Sequence, residues 1–253
     1  MFKWNESKKI QLKELLKTNT QKDAADILGC HLMTVNSAIK KFDIPYKKKT
    51  GSNYKIISKW PEDFSSEQKQ IISGCLLGDG WLYNQSFWIK QCRRRREYIE
   101  HVSNCLKPYT TGNIYDGEQC NRSKVFLSSE CYTRKAPRFA NLETIWYPSG
   151  KKIVPRDIEL TPLTCAHWFV QDGCNRKSRK TAILYTNSFL KKDVCFLIDK
   201  LKHDIGIDSY LRKEKLNQWS VAISNKDEHY SNFINTIKPF VKWNCFQYKV
   251  DQI

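Results

Sequence analysis

SSEQKQIISGCLLGDG (residues 65–80) and TPLTCAHWFVQDG (residues 161–173) share one plan. In each, a hydroxyl residue able to cap a helix, Ser65 or Thr161, precedes an apolar stretch that ends in aspartate and glycine, Asp79-Gly80 or Asp172-Gly173. Ser65 with Gln68 reads as a capping box, and Pro162 suits the first helical position. An acid in the last turn faces the partial negative charge of a helix C-terminus and costs ~0.3–1 kcal/mol. Repeated at equivalent points, that arrangement asks for a cation. Small residues at Ser73, Gly74 and Ala166 permit close packing of the two helices. Asp79 and Asp172 would then meet with the backbone carbonyls of Gly78 and Gln171 beside them, an all-oxygen site suited to Mg²⁺ or Mn²⁺.

Outward from these helices the same order of elements follows twice. After Gly80 come a hairpin (81–83 and 86–91), a helix (94–106), two strands (111–116 and 124–129) and a helix near 134–146. After Gly173 come strand residues 181–186, a helix from Phe189 to Asp204 stopped by Gly206, two strands (209–213 and 218–223) and a helix near 229–238. Two αββαββ units in one α+β chain imply duplication about a local two-fold axis, a shape matched to a symmetric duplex.

The first residues follow another pattern. Ile10, Leu12, Leu15 and Leu16 mark one face of a helix, Thr20 opens a second that Gly29 ends, and a third covers roughly Leu32 to Phe42. Helix, tight turn and helix form a helix-turn-helix pattern, with Ala24, Ala25 and Leu28 packed on Val35 and Ile39. Met33, Thr34, Asn36, Ser37, Lys40 and Lys41 then face outward, able to touch phosphates and base edges. The stretch YKKKTGSNY (46–54), with Lys47, Lys48 and Lys49, reads as a linker laid along a phosphate backbone. The expected division is 1–45 helical unit, 46–63 linker, 64–150 first repeat and 151–253 second repeat.

Composition supports a polyanionic partner. The 253 residues carry 43 Lys+Arg against 26 Asp+Glu, a net charge of +17, with 40% hydrophobic and 13% aromatic residues that exclude a disordered tail. The start lacks a secretory core and no apolar run suits a bilayer, so a soluble intracellular protein is expected. Ten cysteines with no CxxC pair read as reduced core residues rather than a zinc site.

GCLLGDG (74–80) and LTPLTCAHWFVQDG (160–173) resemble the two signature helices of single-chain LAGLIDADG homing endonucleases. LYTNSFLKKDVCFLIDKL (184–201) and INTIKPFVKWNCFQYKV (234–250) are similar to two further family segments. The resemblance implies a pseudo-two-fold αββαββα saddle whose sheets lie in the major groove of a long, near-palindromic DNA target. It also implies metal-dependent hydrolysis of both strands with four-nucleotide 3′ overhangs by a monomer, and binding without cleavage in Ca²⁺. Lys152 and Lys249 match family lysines that polarise water or stabilise the phosphate. Gln91 and Asn187 match polar residues that hold the water network.

Base readout is expected from Tyr83, Gln85, Trp88 and Lys90 in one half and Tyr185, Arg212, Lys213, Gln218 and Ser220 in the other. The run Arg93, Arg94, Arg95 and Arg96 is expected on the DNA backbone. Two other readings use the same surface: a non-catalytic DNA-binding regulator, which would have lost its acids, and an intron maturase that binds its host intron RNA.

Overall fold

The computed structural model describes residues 2, 4–18, 21–44, 61, 63–121 and 124–251. Contacts divide the chain into two units, Met1–Trp60 and Pro61–Ile253.

In the first unit, α1 (Glu6–Thr18), α2 (Gln21–Leu28) and α3 (Leu32–Lys41) enclose a small core of Leu12, Leu16, Ala24, Ala25, Val35, Ala38 and Ile44. Gly29 ends α2 with φ of 64°, a left-handed turn in which glycine carries no Cβ clash. His31 then caps α3, its Nδ1 accepting the Met33 N–H at 3.2 Å. Ile10 departs from the expected face and is 61% exposed, because the core takes only Leu12 and Leu16 fully from this helix. Met33, Ser37, Lys40 and Lys41 are exposed, while Thr34 and Asn36 are half-buried. Thr20, Lys47, Lys48 and Lys49 lie outside the described residues.

The second unit opens with α4 (Ser66–Leu77), closed at its start by the Ser65–Gln68 capping box. It continues with β1 (Trp81–Tyr83), β2 (Ser86–Cys92), α5 (Arg96–Cys105), β3 (Tyr115–Asn121), β4 (Lys124–Tyr132) and α6 (Pro137–Trp146). The order recurs as α7 (Pro162–Asp172), β5 (Gly173–Arg176), β6 (Thr181–Tyr185), α8 (Lys191–Ile205), β7 (Tyr210–Lys213), β8 (Trp219–Ile223) and α9 (His229–Ile237). The two sheets have the same topology, β1-β2-β4-β3 and β5-β6-β8-β7, and the strands pair antiparallel throughout the described residues.

Two strands differ from the sequence expectation. β3 spans Tyr115–Asn121 rather than 111–116, and β5 has no counterpart in the sequence reading. Their sequences, YDGEQCN and GCNR, are poor in β-branched residues, so the neighbouring strand rather than local propensity imposes their conformation.

In both sheets one face packs on helices. Phe87, Ile89 and Gln91 alternate inward along β2, as Ala182 and Leu184 do along β6, and all are buried. The opposite faces carry Tyr83, Trp88 and Lys90 in the first sheet and Tyr185 and Arg212 in the second. Among the described residues no helix is long and apolar enough to cross a membrane, and the ten cysteines are free.

Candidate metal centre and nucleic-acid interface

α4 and α7 pack directly on each other. A Cβ on Gly74 would lie 2.4 Å from the Thr164 carbonyl oxygen and 2.7 Å from the His167 Cβ, so only glycine allows this approach. At Gly78 a Cβ would lie 2.8 Å from the Gln171 Cβ. The same contact brings the two aspartates to neighbouring helix ends, and both line one open cleft with Gln91, Arg93, Arg94 and Arg95. Asp79 is exposed and Asp172 half-buried.

The electrostatics record their proximity. Burial, and then the negative charge of Asp79, push the Asp172 carboxyl up to about 6 despite Lys152 and Lys249 nearby. Two carboxylates at two helix C-termini concentrate negative charge at one point, which fits a divalent cation. Among the described residues no third His, Cys, Asp or Glu completes a cluster. An ion here would take its remaining ligands from water and substrate phosphate, the usual habit of Mg²⁺.

The surrounding side chains hold the acids rather than reach past them. Gln91 donates through Nε2 to Asp79 Oδ2, and its Oε1 accepts from Arg95 Nη1 at 2.8 Å. On the other side, Gln171 Oε1 accepts the Asp79 N–H at 2.8 Å. Its Nε2 donates to Tyr98 Oη at 2.6 Å and to the His167 carbonyl at 2.9 Å. The Gln171 amide is therefore a strut between repeats and not a free metal ligand. Any contribution from Gln171 to a metal would have to come through its main-chain oxygen. Tyr98 Oη also lies 2.8 Å from His167 Nδ1, and burial holds that imidazole neutral, pushed down to about 3.

The two lysines take matching places. Lys152 Nζ donates to the carbonyl of Gly80 at 2.8 Å and approaches that of Gly78 at 3.4 Å. Lys249 Nζ donates to Val170 and Gly173, each at 2.7 Å, and approaches Phe169 at 3.4 Å. Each ammonium satisfies orphan carbonyls at the end of a signature helix, where the dipole favours a cation. Burial pushes both ammonium groups down to about 8, opposed at both sites by the charges of Asp172 and Asp79. Lys249 is 7% exposed. Both lysines, expected to polarise water or stabilise the phosphate, are engaged here with helix-end carbonyls beside the acids.

Other expected residues fall differently. Extending the strand register places Gln91 opposite Gly78 and Thr186 opposite Gln171, so Thr186 and not Asn187 is the counterpart of Gln91. Asn187 lies exposed in the turn beyond β6, while Thr186 is buried and donates to the Trp219 carbonyl at 2.7 Å. Lys213 pairs with Trp219, on the opposite face from Arg212 and Ser220, because side chains alternate along a strand. Ser220 shares the face of Arg212 and Tyr185 but is fully covered, donating to Glu214 at 2.7 Å. Gln218 is half-buried, and Tyr83 and Gln85 are exposed.

The arginine run is divided. Arg96 pairs with Glu100 at 2.7 Å and with Asp116, Arg93 donates weakly to the Gly117 carbonyl at 3.4 Å, and Arg95 turns toward Gln91. Arg94 is exposed. Lys90 stands 3.7 Å from Glu130. Sequence reasoning missed Arg176, which occupies in β5 the position of Tyr83 in β1, four residues beyond the aspartate. It also missed Tyr98, which reads in sequence as one more core aromatic of an amphipathic helix.

Comparison with known proteins agrees with this construction. The model of the LAGLIDADG DNA endonuclease family matches residues 69–230, and the chain belongs to that family. An uncharacterised protein of Methanocaldococcus jannaschii is 24% identical over 229 residues, 88% of this chain and 87% of that one. Probable intron-encoded endonuclease 1 of Wickerhamomyces canadensis is 27% identical over 209 residues, 76% of this chain and 88% of that one. The solved structure of the homing endonuclease I-WcaI, bound to its DNA recognition sequence, has the same fold: TM-score 0.68 at 23% identity, covering 77% of this chain and 89% of that chain.

Proposed function

We propose that this chain is a site-specific homing endonuclease, a divalent-metal-dependent phosphodiester hydrolase that cuts both strands of a long DNA target as a monomer and leaves four-nucleotide 3′ overhangs. The observation that carries the reading is the convergence of Asp79 and Asp172 at the paired ends of α4 and α7, between two sheets of one topology. A non-catalytic regulator would have no need of two like charges held together at an electrostatic cost. Family membership and the intron-encoded relative point the same way.

In the reaction, water bonds to phosphorus as the P–O3′ bond breaks, giving 5′-phosphate and 3′-hydroxyl ends. Asp79 and Asp172 would hold a divalent ion, which would supply Lewis-acid stabilisation of charge on the phosphate. Gln91, backed by Arg95, fixes the Asp79 carboxylate, while Gln171 fixes its main chain. Lys152 and Lys249 offset the negative helix ends, and their charges oppose the upward push on the Asp172 carboxyl. Arg94, Tyr83, Gln85, Tyr185, Arg176 and Arg212 lie on the proposed DNA surface. In the first unit Met33, Asn36, Ser37, Lys40 and Lys41 extend the contact as a helix-turn-helix.

The test is incubation with Mg²⁺ and a plasmid carrying the gene's insertion site without the element. A specific linear product is expected from the wild type. Asp79→Asn and Asp172→Asn should bind the same DNA in Ca²⁺ without cutting it, and wild-type cleavage by the double variant would overturn the assignment.

A further inference from the structure

The face of the first sheet turned away from its helices carries a row of aromatic rings, one from each strand. Trp81 on β1, Trp88 on β2, Tyr132 on β4 and Tyr115 on β3 follow one another across the sheet, their centroids separated by 6.1, 4.3 and 4.9 Å. The planes are nearly parallel, at 17°, 26° and 12°. The register explains the alignment, since Trp81 pairs with Trp88 and Trp88 with Tyr132. In the second sheet the matching row is Cys174, Ile183, Ala222 and Tyr210, with one ring. Duplication preserved the strand order and left the two faces chemically unlike.

Stacked rings cover one another's faces and present carbon edges. The indole N–H of Trp88 is buried and without a hydrogen-bond partner, so Trp88 meets a ligand through carbon alone. The row continues the surface that holds Lys90 and leads to the cleft of Asp79 and Asp172, on a chain of charge +17, and a duplex is the occupant that fits. In the major groove the base edges are read as donors and acceptors, and the thymine C5-methyl is the apolar group of that code. Carbon edges set against any other group would strip it of water without returning a hydrogen bond.

Resting on the proposed endonuclease function, we propose that the first repeat reads its half of the DNA target through thymine methyl groups packed on Trp81, Trp88, Tyr132 and Tyr115. The second repeat, with Arg176 and Arg212 on the corresponding face, lacks this readout. Sensitivity to thymine methyl groups is therefore confined to one half of the target.

The experiment uses the full chain in Ca²⁺ and a duplex enriched from a randomised pool by binding to it. Thymines of one half at a time are replaced by deoxyuridine, which removes the methyl and leaves base pairing intact. One half should respond, by about fourfold in Kd for each buried methyl lost. Tyr115→Ser, at an edge strand and 40% exposed, should bind the thymine and uracil duplexes with a smaller difference than the wild type. Trp81→Gln provides a second variant with the same expectation. No response in either half, equal responses in both, or a response unchanged in both variants would overturn the methyl readout. Failure to enrich any duplex would instead overturn the DNA-binding function and the inference with it.

Discussion

Asp172 is held at an electrostatic disadvantage that its substitution should reveal. Its carboxyl is pushed up to about 6 by burial and by Asp79, against ~3.9 in an unfolded chain. Because the folded value is the higher one, the penalty is absent below about pH 4 and complete above about pH 6. Without metal, Asp172→Asn should therefore be more stable than the wild type at pH 7 by on the order of 2 kcal/mol, and the difference should vanish near pH 4. Urea denaturation across that range measures it, and a difference independent of pH would deny the origin of the shift. Lys249→Met should act in the other direction, because the carbonyls of Val170 and Gly173 lose a buried donor; a loss of about 1–3 kcal/mol is expected in the same assay. At this scale the acids were legible because the wrong charge at two helix ends is visible in sequence. Gln91 was found, whereas Asn187 was misplaced by one residue, since strand register is set by pairing and one step reverses a side chain's face. Arg95 was hidden in a run of four identical residues, of which only tertiary contacts select the one that backs Gln91.

The helix pair α4 and α7 joins packing to chemistry. Gly74→Ala introduces a Cβ 2.4 Å from a backbone oxygen that has no rotamer to escape through, so the helices must part. A stability loss of about 1–3 kcal/mol is expected by thermal unfolding. Since Gln171 links the same interface to Asp79, cleavage should fall more steeply than DNA affinity in this variant. Parallel losses of both would mean that the interface serves folding alone. The capped helices, their ends and the hairpin Trp81–Tyr83 with Ser86–Cys92 were readable because caps, glycines and alternating apolar residues are local signals. β3 and β5 were not, since Asp, Gly, Glu and Asn have weak strand preference and adopt it only beside β4 and β6. The aromatic row was invisible as a whole, because its two hairpins join only through the pairing of β2 with β4, which brings Trp88 beside Tyr132.

Each of the two units of the chain has its own core, so each should fold when separated. The acids, both lysines and both sheets lie within Pro61–Ile253, and removal of residues 1–60 should leave specific cutting intact at high enzyme concentration while shortening the protected footprint at one end. A truncated protein that folds but never cuts would place part of the catalytic site in the helical unit. The charge of the whole molecule gives the more general expectation. With +17 on the chain and the proposed contacts of both units, at least ~8 phosphates should be neutralised, and each releases ~0.9 counterion from B-DNA. Log K against log salt should fall with a slope of about −7 or steeper for the full chain. Lys90 and Arg96 already face Glu130 and Asp116, so they exchange one ionic partner for another on binding and add less to that slope than Arg94. Neutralising Arg94 should accordingly reduce the slope by about 1, whereas neutralising Arg96 should reduce it by less. Equal effects of the two variants would show that the acids release their arginine fully to the phosphate, and a wild-type slope shallower than about −3 would exclude an interface of this extent.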